Sequence, residues 1–288
     1  MGIDGQAIRF LEYAAKKRPS LGSVATLGRQ GLHITEHRLR RMLLLPPSYR
    51  HGPYAEALMM AHFGATSVAS FDASDFEQAT FVVDMNKPLP PGLVTYDTII
   101  DAGCLEHIFN APQALRNISG LCKPGAQILH ILPANNQCGH GFWQFSPELF
   151  FSLYSEENGY RATEVFLSEE GNEETWYEVS RPKDGARATM ASSAPISVLC
   201  RTEVGTAFSH EHVQQSDYVY AWRNGLDSIE KHPTGFLADL KGVVKRSRFA
   251  GAAYDVYDKL GGLARASLRT DLARRNPSLV RRSVKSLL

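Results

Sequence analysis

The chain has 288 residues, 43% hydrophobic and 21% charged, which is the balance of a globular protein with material for one large core or a core plus an appendage. No run approaches the roughly 20 apolar residues of a membrane span, and MGIDGQAIRFLEYAAKKRPS contains no secretory apolar stretch, so a cytoplasmic protein is expected. The net charge of +1 hides an asymmetry: Lys241 to Leu288 hold twelve Lys and Arg against three Asp, which leaves the first 240 residues at −8.

In chain order, Ile8, Leu11 and Ala15 share one face of a predicted first helix within residues 3–18. Ser23 to Leu27 reads as a short buried strand, closed by Gly28-Arg29-Gln30-Gly31. A long connection over residues 33–62 follows, with a basic amphipathic segment (His37 to Leu45), a Pro46-Pro47 stop and a helix from about Tyr54 to Phe63. Val68 to Phe71 and Phe81 to Val83 read as the second and third strands, ending in Asp72 and Asp84. A carboxylate at the carboxyl end of a second strand can take both hydroxyls of a ribose; the structural alternative for each Asp is a helix cap.

Thr98 to Asp101 and Gln127 to Leu132 are apolar strands around a helix at about Pro112 to Leu121, a βαβ unit whose strands run parallel. Their following loops reach one edge of the sheet, bringing Asp101, Cys104, Glu106, His107, Asn135, Asn136 and His140 there. Ser146 and Pro147 start a further helix. Tyr160 to Leu167 and Ile196 to Cys200 are strands. Residues 168–194 read as an excursion around Trp176-Tyr177 at the substrate edge. Cys104, Cys122, Cys138 and Cys200 show no metal or disulfide spacing, and no ligand cluster in the sequence demands a metal.

The runs YDTIIDAGCLEHIFN, LCKPGAQILHILP and FSPELFFSLYSEENGY resemble the second half of class I S-adenosylmethionine-dependent methyltransferases of the small-molecule type, over about residues 64–167. The resemblance implies an α/β fold: a Rossmann-like, seven-stranded, mostly parallel sheet with an antiparallel last strand. The domain would span residues 1–205, with an insertion at about 33–53. It also implies S-adenosyl-L-methionine as cofactor, with Asp72 on the ribose and Asp84 near the adenine. The family's first strand ends in an acidic residue and a Gly-x-Gly-x-Gly turn; here Thr26 stands near the acidic position and only Gly28 and Gly31 remain. In this degenerate turn Gly28 would admit the cofactor, Arg29 would pair with its carboxylate and Gln30 would bond its amino acid moiety; the alternative is a strand-to-helix turn with no ligand. Asp101 would orient the acceptor or the cofactor's amino group.

Methyl transfer to a hydroxyl needs a proton acceptor, and His107 and His140, on loops at the carboxyl edge, are the candidate bases; a hydrogen-bonding scaffold is the alternative for each. The leading expectation is O-methylation of a small-molecule or glycan hydroxyl. The alternative is a non-catalytic methyltransferase-like binding or scaffold protein in a biosynthetic assembly. Residues 206–288 form a basic extension with apolar stripes at helical spacing (Leu237, Leu240, Val243, Val244; Tyr257, Leu260, Leu263, Leu268). Residues 236–288 are expected to dock on the inner face of a membrane or on an acidic protein partner, and to be removable at Gly235 because the sheet is complete by Cys200. The acidic body argues against nucleic acid.

Overall fold

The computed structural model describes residues 2–182, 187–190, 192–225 and 278–288. Asp4 caps helix α1 (Gly5–Lys17), its side chain accepting from Ala7 N at 2.8 Å, and a strand β1 (Gly2–Ile3) precedes it. Then come β2 (Gly22–Leu27), β3 (Gly31–Leu32), α2 (Glu36–Met42), α3 (Glu56–His62), β4 (Ala65–Asp72) and β5 (Phe81–Val82). The centre holds β6 (Tyr96–Ala102), α4 (Ala111–Gly120), β7 (Cys122–Asn135) and α5 (Pro147–Leu153). After these lie β8 (Tyr160–Glu169), β9 (Thr175–Val179), β10 (Ile196–Val204), α6 (Ser216–Asn224), β11 (Leu279–Ser283) and a terminal turn of helix, Val284–Leu287.

Among the described residues nine strands make one sheet in the order β11-β9-β8-β10-β7-β6-β2-β4-β5. From β7 to β5 all neighbours are parallel, and β10 enters antiparallel between β7 and β8. These seven strands are the Rossmann-like, mostly parallel sheet with an antiparallel last strand that the sequence predicts. Successive residues in the central strands serve opposite faces: Ile99, Ile128 and Val198 pack with α4 and α5, whereas Ile100, Leu129 and Leu199 pack with α1 and α3. Each such side chain contributes about 1.5–3 kcal/mol by leaving water, so the alternation itself drives a three-layer αβα arrangement.

Three expectations are corrected. The sheet is not complete at Cys200, because β11 pairs antiparallel with β9, Leu279 opposite Val179 and Ser283 opposite Thr175. The segment around Trp176 is not at the substrate edge: it is strand β9, and the fully buried indole meets Phe10, Tyr13 and Phe166 beneath α1. Its apolar bulk has an aromatic pocket to fill. The third strand stops at Val82, and Val83 N turns back to Asp72 O at 2.7 Å. The two apolar stripes of the extension and the Gly235 boundary lie outside the described residues, and no helix among the described residues is long and apolar enough to cross a membrane.

At the amino edge, near the end of α4, His210 Nε2 sits 2.9 Å from Tyr160 OH and 3.1 Å from Ser119 Oγ. Burial, and then the charge of Arg116, depress this imidazole to about 4. Its neutral form is therefore the one folding favours. The expected stability contribution is complete above the ordinary histidine range, near 6.5, and lost as pH falls toward 4. Proton NMR titration of the His210 ring should place its midpoint well below the ordinary histidine value near 6.5; a midpoint at that value would refute the assignment.

Candidate functional site

The carboxyl ends of β2, β4, β6 and β7 share one edge, and the turn after β6 carries its chemistry. Asp101 ends that strand's buried run, and its Oδ1 accepts from Cys104 N and Leu105 N, both at 3.2 Å. These bonds shape a single 3-10 turn, Leu105–His107, that buries Glu106 and leaves His107 exposed. The loop after β7 returns over it. Phe142 N donates to Glu106 O at 2.7 Å, and Trp143 Nε1 donates to Ile108 O at 3.0 Å. Gly141 makes the approach possible: its φ is +74°, and a Cβ there would stand 2.7 Å from Glu106 O and 2.9 Å from its Cγ.

The closed loop sets His140 Nε2 3.2 Å from Glu106 Oε1, and His107 Nε2 3.9 Å from the same oxygen. The two imidazole centroids are 5.2 Å apart. Thus the two histidines singled out from sequence meet, and the carboxylate between them is a residue to which the sequence assigned no role. Burial, and then Asp101's charge, lift the Glu106 carboxyl to about 7. Burial and the neighbouring His140 lower His107. Burial and three carboxylates, Asp101, Glu106 and Asp72, push the Cys104 thiol far up, which makes it a thiol and no nucleophile. Exposed Phe109, Phe142 and Trp143 rim the cluster, with Phe109 edge-on to Phe142 at 5.9 Å.

The residues expected to hold a cofactor divide. Gly28 is buried at φ +67°, its N donating to Phe71 O at 2.7 Å, and the Oδ1 of half-buried Asp72, at the end of β4, accepts from Ser74 N at 3.2 Å. Of the two, the carboxylate at a strand's carboxyl end is the group that suits a ribose. Asp84 is bound by its own loop, to Asn86 and to Lys87 at 3.2 Å; the Asn86 side chain leads in holding its carboxyl below the usual range.

Arg29, Gln30 and Asp101 are not available for the roles expected of them. Arg29 Nε pairs with Glu56 at 2.7 Å, its guanidinium lies 3.9 Å over the Tyr54 ring, and NH1 donates to Glu77 O. It fastens the loop beyond Asp72 to the start of α3. Gln30 is buried and donates to Leu27 O at 2.6 Å, while Thr26 Oγ1 donates to Gly28 O at 2.8 Å. The Thr26 and Gln30 side chains thus close the turn on itself. Asp101 is fully buried because its register partner on β7 is His130: Oδ2 lies 2.9 Å from His130 Nδ1, and His130 Nε2 lies 2.7 Å from Tyr154 OH. The only hint of this chain in the sequence is a histidine inside the apolar run QILHILP.

Residues 31 to 55 form a closed excursion. Gly31 bridges Tyr54, and Ala55 N donates to Gln30 O at 3.0 Å, so α3 resumes where the Gly28 turn leaves off.

No protein-family model and no curated protein matches the chain. Among solved structures it is similar to the N-methyltransferase NodS from Bradyrhizobium japonicum WM9, at 12% identity over 69% of this chain and 93% of that one, with a TM-score of 0.39. A putative methyltransferase from Bacillus halodurans C-125 aligns at 11% identity over 68% of this chain and 99% of that one, TM-score 0.38. The branched-chain polyamine synthase from Thermus thermophilus aligns at 15% identity over 73% and 59%, TM-score 0.38. The fold assignment itself rests on the strand order and directions found in this chain.

Proposed function

We propose that the protein transfers a methyl group from S-adenosylmethionine to a hydroxyl of a small molecule or glycan held at Glu106, His107 and His140. The observation that carries this reading is the shared edge: β4, which ends at Asp72, and β6, which leads into the Leu105–His107 turn, both flank β2 in parallel and so deliver Asp72 and Glu106 to the same side of the sheet. A nucleoside bound on Asp72 and a hydroxyl at the histidines would then be neighbours. When bound, the cofactor supplies an electrophilic methyl on a sulfonium. Asp72 would hold the ribose hydroxyls. Glu106, His107 and His140 would position the acceptor and see to the loss of its proton. Phe142 and Trp143 offer faces on which a sugar or an aromatic ring can stack.

Calorimetry with S-adenosylhomocysteine tests the reading. The unmutated chain should bind, and Asp72→Ala should weaken binding by about 10-fold or more, as expected when a charge-assisted pair of hydrogen bonds worth ~1.5–3 kcal/mol is lost. The inward-turned Arg29 and Gln30 favour the second reading, a methyltransferase-like scaffold. Absence of binding at millimolar ligand would decide for it.

A further inference from the structure

Glu106 is an odd residue to bury for structure alone. Its side chain is 1% exposed, yet Oε2 has no hydrogen-bond partner. A buried carboxylate with a structural task accepts bonds at both oxygens. Here the other oxygen faces two imidazole nitrogens, and one ligand atom from each of Glu106, His107 and His140 falls within 4.8 Å of the other two. Around an ion with bonds of about 2.0–2.2 Å, tetrahedral ligand atoms stand about 3.4 Å apart. The 3.2 Å and 3.9 Å separations from Glu106 Oε1 bracket that spacing. The loop that completes the set is clamped by Phe142 N on Glu106 O and tolerates no side chain at Gly141.

We propose that Glu106, His107 and His140 bind a divalent transition-metal ion that also coordinates the acceptor's oxygen. Two imidazoles and one carboxylate suit zinc, manganese, iron or cobalt better than magnesium or calcium, and three protein ligands leave positions open for substrate. The set leaves the ion a residual positive charge. That charge acidifies a coordinated hydroxyl, whose proton departs to water. The oxygen's electron pair then forms the C–O bond as the methyl's C–S bond breaks, its electrons returning to sulfur. The cation site stands on the side chains alone; its part in catalysis rests on the methyl-transfer reading.

The test uses the full chain, stripped with chelator, dialysed and titrated with cobalt(II), whose visible absorption reports imidazole ligation. One equivalent should bind, with a spectrum distinct from the aquo ion. His140→Ala and Glu106→Gln should each weaken uptake by about 100-fold or more, beyond what loss of a supporting partner costs. His212→Asn, outside the cluster, should change nothing. His140 is half exposed, so its variant decides the matter if the Glu106 variant fails to fold. Lack of stoichiometric uptake by the unmutated chain, or undiminished uptake by His140→Ala, overturns the proposal. Cobalt uptake without S-adenosylhomocysteine binding would keep the site and remove the methyl-transfer reading; the reverse would remove only the site.

Discussion

Deleting residues 278–288 is expected to lower the free energy of unfolding by about 4.5–10 kcal/mol. Leu279 and Val284 are buried, and each contributes about 1.5–3 kcal/mol by burial. The segment is also sewn in by backbone. Beyond the β9 pairing, Ser180 N donates to Ser278 O at 2.8 Å and Val284 N to Glu174 O at 2.9 Å, while Lys16 Nζ reaches Leu287 O at 3.1 Å. Net contributions of about 0.5–1.5 kcal/mol per hydrogen bond bring the sum into the stated range. Urea unfolding followed by Trp176 fluorescence would measure it, since the buried indole lies in the strand that β11 covers. A truncated chain as stable as the parent would return the carboxyl-terminal residues to the status of an appendage.

His130→Ala should destabilise by about 2–6 kcal/mol, because it leaves two buried polar groups, Asp101 Oδ2 and Tyr154 OH, without their shared partner at about 1–3 kcal/mol each. The Asp101 carboxylate would keep only its two backbone donors at 3.2 Å, and the buried Tyr154 hydroxyl would lose its partner. Against a typical total of ~5–15 kcal/mol, that is a large share. His130→Gln, which retains a donor, should recover part of it. A loss under about 1 kcal/mol, the scale of an exposed ion pair, would show that the buried Asp101–His130–Tyr154 chain does not hold the sheet edge in place.

The elements were legible wherever local chemistry decides them. Short apolar runs marked β2, β4, β6, β7, β8 and β10, and Ser146-Pro147 marked the start of α5, because strand burial and helix capping depend on neighbours a few residues away. His107 and His140 were legible as edge residues because two parallel strands deliver their loops to one side. Side-chain direction was not. Whether Asp101 meets solvent or His130 depends on a register between strands 29 residues apart, and Arg29 finds Glu56 only after an excursion of 27 residues. Strand β11 was missed for a similar reason: LVRRS carries a weak pattern, and its partner TWYEV is a hundred positions earlier. Glu106 read as one polar letter in Leu-Glu-His, and only the returning Gly141 loop makes it the buried centre of a cluster.

Among the described residues, the two rims of the main sheet are also a defence against self-association. An open strand invites the backbone of another molecule to continue the ladder, and proteins discourage this with short or charged edges. On one side β5 is two residues long. On the other, β11 presents exposed Arg281 and Arg282, the latter held to Glu178 at 2.7 Å. Without β11 the outermost strand would be Thr-Trp-Tyr-Glu-Val, five residues rich in the aromatic and β-branched types that pair readily. The last residues of the chain therefore help to keep one molecule from templating the next.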